Sequence, residues 1–188
     1  MSHPSPSLDR LRSVMLRADD WLAALQEQDA YDCGLVLAAS ASVVLPIWEE
    51  RFPGDEKMPR VVDALKAWAA APSSKALESV QVANRQVACT VWWCESVMGP
   101  RNQSDCAGDF AGDSIVWAAK AITEIGAPEL RVSLRRSLNN ASEAIARQMA
   151  GTWMPDEKTD YWSLAVRALR TEVLAALSQC VMSPLTSR

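Results

Sequence analysis

The run from Cys33 to Trp48, C-G-L-V-L-A-A-S-A-S-V-V-L-P-I-W, constrains this chain more than any other stretch. A segment apolar on nearly every side has no face to give to water, so it has to lie in the middle of whatever forms around it. It is shorter than the roughly 20 residues a bilayer-spanning helix needs. Gly34, two serines and Pro46 also interrupt it. The expectation is a buried core helix over about Tyr31 to Leu45, with no membrane span. Pro46 has no N–H for the Ser42 carbonyl and is expected to kink or restart the helix there.

The rest of the chain supplies partners for such a helix. Leu8, Leu11, Met15, Ala18, Leu22 and Leu25 recur at three- and four-residue steps behind Ser7, a residue suited to capping. Asp9, Arg10, Arg12, Arg17 and Asp20 fall on the opposite face. A third helix is expected from Pro59 to Ala71, and a fourth from Ser73-Ser74 towards Met98, ended by Gly99-Pro100. Phe110, Trp117, Ala121 and Ile125 form the spine of a fifth, stopped by Gly126. Leu130, Leu134, Leu138, Ala141, Ile145 and Met149 repeat through a sixth. Asp160 caps a last one carrying Leu164, Ala168, Val173, Leu177 and Val181. No strand-like alternation bounded by turn residues occurs. The expected fold is therefore all-α: a single-domain bundle of about seven helices, mostly antiparallel neighbours, over residues 7–188 behind a disordered Pro/Ser tail at 1–6.

Composition narrows the function classes. A net charge of -4 argues against a nucleic-acid binder that works by neutralising phosphates. The five cysteines, Cys33, Cys89, Cys94, Cys106 and Cys180, are odd in number and form no C-x-x-C pair. They read as free thiols in a reducing compartment. With no signal-peptide pattern at the N-terminus, a cytoplasmic location is expected. Eight tryptophans against two Phe and two Tyr demand either burial with a partner for each indole N–H or exposure as contact anchors.

The single histidine, His3, falls in the tail. This removes Ser-His and Cys-His nucleophilic centres and His-ligated metal sites from the fold. No phosphate-binding glycine loop or zinc spacing is present, so neither a cofactor nor a resident metal is expected. The one arrangement with catalytic potential is D-C-A-G-D-F-A-G-D. There Asp105, Asp109 and Asp113 form an oblique row on a helix and could share a divalent cation, as in a small metal-dependent hydrolase. Equally, Asp105 can cap the helix and Asp109 favour its positive end, leaving Asp113 exposed. Arg131, Arg135 and Arg136 make a basic cluster that reads as a solvated face or as a docking site for an acidic ligand.

The second dense stretch follows the apolar run: L-P-I-W-E-E-R-F-P-G-D-E-K-M-P-R-V-V-D-A-L-K-A-W. Phe52-Pro53-Gly54-Asp55 is a turn, in which Gly54 accepts positive φ and Asp55 can bond backbone N–H groups. Trp48, Glu49, Arg51, Asp55 and Arg60 crowd this corner. Arg60 is placed to brace it through Asp55 or Glu49, or the patch faces a partner. This run resembles the corner of the Imm5-type immunity proteins of bacterial polymorphic toxin systems, which are all-α. The resemblance covers about 30 residues well and the Ala-rich helices beyond it loosely.

The resemblance implies an immunity protein that binds a cognate toxin domain and blocks it, with no catalytic residues of its own. A helical adaptor unrelated to toxins is the further alternative. Partner contacts are then expected from two acidic segments, Asp105, Asp109 and Asp113 in one, Asp156 and Asp160 in the other. Trp153 stands beside the second as a large aromatic anchor.

Overall fold

A computed structural model describes residues 8–17, 20–28, 30–97, 103–150 and 160–182, with some side chains at helix ends left out. Eight helices occur among them: α1 (Leu8–Arg17), α2 (Trp21–Gln26), α3 (Ala30–Arg51), α4 (Lys57–Ala70), α5 (Ser74–Val97), α6 (Gln103–Thr123), α7 (Leu130–Ala150) and α8 (Tyr161–Met182). The described residues contain no strand. The all-α expectation holds; the count differs by one, because the first expected helix is two. Asp20, expected on that helix's polar face, instead accepts a hydrogen bond from the Ala23 N–H at 3.0 Å and caps α2. A side-chain acceptor at that position starts a new helix rather than continuing the old one.

The apolar run is central. Every residue from Asp32 to Ala41 is buried, and α3 packs against α4, α6, α7 and α8. By length and composition Tyr31–Arg51 would also suffice to cross a membrane; here most of that stretch is spent on the core. The expected restart at Pro46 does not occur: α3 continues through it to Arg51. Pro46 is exposed, while Val44, Ile47 and Trp48 around it are buried. Burial on both sides of the proline holds the helix on course despite the lost hydrogen bond at the Ser42 carbonyl.

One core cluster draws on all eight helices, from Leu11 and Trp21 through Met58, Val80 and Ile115 to Leu134 and Leu169. α6 and α7 share the most extensive contact, and their facing surfaces explain why. Ala107, Ala111, Ser114, Ala118 and Ala119 meet Ser133, Ser137, Ala141 and Ala144, all small and all buried. Small residues let two backbones approach. The Ser137 hydroxyl donates across the joint to the Ser114 carbonyl at 2.9 Å, so a buried polar group is satisfied where the helices meet. Cys33 is a buried free thiol, as expected; its Sγ lies 3.2 Å from the Leu25 carbonyl.

Candidate functional site

The corner between α3 and α4 is built around one carboxylate. Trp48 is 1% exposed, and its Nε1–H donates to Asp55 Oδ2 at 2.9 Å. The other oxygen, Asp55 Oδ1, accepts from the Lys57 N–H at the start of α4, 3.0 Å away. Asp55 thus ties the last turn of one helix to the first turn of the next. The turn between them is closed by the Asp55 N–H to the Phe52 carbonyl at 3.1 Å, with Gly54 at φ 86°. Phe52 stacks on Trp48 at a centroid distance of 4.2 Å, and the Arg51 guanidinium lies over Phe52. A charge-assisted bond to a buried indole is among the stronger contacts a corner can hold.

Arg60 takes no part in this brace. It pairs with Glu56 at 2.7 Å, and both side chains are largely exposed, at 64% and 79%. The expected bond to Asp55 or Glu49 is absent: the guanidinium goes to Glu56, its neighbour one helical turn back. Glu49 lies on the exposed face. Of the five corner residues, Trp48, Asp55 and Arg51 hold the joint; Glu49 and Arg60 do not.

The segment carrying the acidic row belongs to the same joint, through its glycines. A Cβ on Gly112 would sit 2.5 Å from the Trp48 ring, and one on Gly108 would sit 2.6 Å from Arg51 Cβ. Those contacts are closer than side chains tolerate, so α6 reaches α3 only because both positions are glycine. The third glycine inside a helix behaves alike: Gly34 faces the ring of Trp68. Tyr31 also packs on Trp68, with ring centroids 5.8 Å apart, and donates to the Ala69 carbonyl at 3.0 Å. Both tryptophans that flank the corner in sequence therefore rest on glycines of a neighbouring helix. Glycines four apart were the signal for this in D-C-A-G-D-F-A-G-D, which the acidic row obscured.

Asp109 and Asp113 are half-buried on α6, and neither is without a partner. The expected helix is present over residues 103–123, and Asp113, expected to be exposed in the capping reading, is half-buried instead. The Asp105 side chain lies outside the described residues, as do Trp153 and Asp156. Among the described residues no group of three or more His, Cys, Asp or Glu is placed to hold a metal ion.

Asp160 is exposed and caps α8, accepting from the Ser163 N–H at 3.0 Å. The hydroxyl and the backbone N–H of Ser163 hold its carboxyl below the ordinary Asp value. This contribution to the cap is present above the unfolded value and is lost as the pH falls through the lowered one. From Asp160, a row of residues at four-residue steps runs down α8: Leu164, Ala168, Glu172 and Ala176. Leu164 is 39% exposed. The last three line a cleft of about 600 Å³ between α3, α7 and α8. Val43, Pro46 and Ile47 form its α3 wall, Ile145 and Met149 its α7 wall, and Lys66 and Gln148 add polar groups. Met149 is half exposed. Sequence reading missed this cleft, because its walls come from helices far apart in the chain.

The arrangement offers a carboxylate at a helix start, an exposed leucine below it, and beyond them an open trough in which Ser42, Lys66, Gln148 and Glu172 stand among apolar side chains. Comparison with family models, with curated proteins and with solved structures finds no match for this chain.

Proposed function

We propose that the chain is an immunity protein that binds a cognate toxin domain and blocks it without chemistry of its own. The observation that carries this reading is the α8 ridge and its cleft. Asp160 and the exposed Leu164 lead along α8 to a cleft where Pro46, Ile47, Ile145 and Met149 stand beside Lys66, Gln148 and Glu172, the mixture of apolar and polar groups that a protein interface uses. Support also comes from the corner, whose sequence resembles the immunity family and whose Trp48–Asp55 bond gives that run a structural purpose. In this reading Trp153, Asp156 and Asp160 are partner contacts, and Asp105, Asp109 and Asp113 contribute through their charge. A basic cleft on the toxin would be drawn to these carboxylates, and association would slow as salt rises.

Co-expression with a toxin domain, sought in the reading frame beside this chain, tests the reading. The intact chain should rescue growth, and Leu164→Arg together with Met149→Arg should abolish rescue while leaving the melting temperature unchanged. Rescue that survives both substitutions places the interface elsewhere. A stoichiometric Mg²⁺ or Mn²⁺ site in calorimetry, lost in Asp109→Asn, would replace this reading with the hydrolase.

A further inference from the structure

A second surface, of opposite sign, lies on α6 and α7. Arg131, Val132, Arg135 and Arg136 are all exposed. Positions 131 and 135 stack on one helical row and 132 and 136 on the next, so the four form one contiguous patch. Val132 is 56% exposed at its centre, and Ile125 is 37% exposed in the turn before the helix. Trp117 of α6 extends the patch. The Arg136 guanidinium and the Lys120 ammonium each lie 4.5 Å from the centre of its half-buried ring, which gathers two cations around one indole.

Of the nearby carboxylates, the exposed Glu129 forms no ion pair with the arginines among the described residues, and Glu124 pairs only with Lys120. Glu124 is half-buried and already engaged by Lys120 at 3.7 Å and by the Ser133 hydroxyl. Among the described residues Arg131 and Arg135 have no ion pair. Like charges four apart on a helix destabilise it slightly, so this row costs the isolated chain stability and returns nothing within it. Three exposed arginines without an ion pair among the described residues, on a chain of net charge -4, leave a local positive charge free to meet an acidic partner.

We infer that the α6–α7 ridge of Lys120, Trp117, Arg131, Val132, Arg135 and Arg136 docks a carboxylate-rich protein segment bearing an apolar side chain between its acids. Arginine and tryptophan are the residues most often found at the centre of protein interfaces. Val132 and Ile125 supply an apolar contact that a phosphate backbone would not use. The chain's overall negative charge opposes a polyphosphate, whose affinity depends on summed charge, whereas a short acidic segment meets only the local ridge. The surface is distinct from the α8 ridge and does not depend on the toxin reading.

A labelled helical peptide with Glu at four-residue steps and Leu between them is the probe, titrated by fluorescence anisotropy against the full chain. A single-stranded DNA of equal charge serves as competitor. The peptide should bind, weaken as salt rises, and bind at least tenfold more weakly to Arg131→Glu/Arg135→Glu, whose melting temperature should match the parent. DNA should not compete. Equal affinity for the charge-reversed variant, no binding at low salt, or displacement by DNA at matched charge would each overturn the inference.

Discussion

Trp48 and Trp117 are the same residue put to opposite uses. Trp48 is sealed in, its ring against Gly112, its face against Phe52 and its N–H on Asp55. Trp117 is half-buried and carries two cations, each 4.5 Å from its ring centre. Every polar need of the first is met inside the chain, so it fixes the angle at which α3, α4 and α6 meet. The second keeps part of its surface open and holds two cations, of which only Lys120 has a carboxylate partner among the described residues. An indole with a dedicated acceptor and a glycine to lie on is architecture; an indole left half-open between a paired lysine and an arginine with no ion pair among the described residues is a surface feature.

Four substitutions test that contrast, beginning with the largest effect. Trp48→Ala should cost about 3–5 kcal/mol in urea unfolding, because it empties a buried volume and strands Asp55; a loss below about 1 kcal/mol would remove Trp48 from the centre of the joint. Gly112→Ala should cost about 1–3 kcal/mol, since the added methyl meets a ring pinned by its hydrogen bond and cannot be relieved by a rotamer change. That cost should stand despite the roughly 1 kcal/mol that alanine gains over glycine in a helix interior. A variant more stable than the parent would show that the α3–α6 spacing is free to relax.

Trp117→Ala should cost about 1–2 kcal/mol, reflecting partial burial and exposed cation–π contacts, and thermal melting would reveal whether it instead matches Trp48. Last comes Arg60→Ala, expected to change stability by less than about 0.5 kcal/mol, the range of exposed helical ion pairs. A loss several times larger would restore Arg60 to the brace.

How much of this was legible beforehand depends on the range of the signal. The turn at Phe52–Asp55 and the cap at Asp160 are local, set by residues a few positions apart, and both stand where their chemistry puts them. Asp20 shows the limit of even local reading: the same aspartate suits a polar helix face or a cap, and only the direction of the following chain chooses. Pro46 was misjudged because proline's cost is local while its compensation, the burial of Val44, Ile47 and Trp48, is not. Arg60 was misassigned because Glu49, Asp55 and Glu56 all lie close in the chain, and the helical neighbour four residues back, Glu56, takes it.

By itself, then, the sequence determined the all-α class, the central place of the Cys33–Trp48 run, and the absence of histidine chemistry from residues 8–188. Those follow from periodicity and composition, which act along the chain. The tertiary structure alone decided that Gly108 and Gly112 serve Arg51 and Trp48, that Asp109 and Asp113 are half-buried, and that α3, α7 and α8 leave a cleft between them. Each of these depends on which helix faces which at an approach of a few ångströms. Spacing along a single helix carries no information about what will be packed against it.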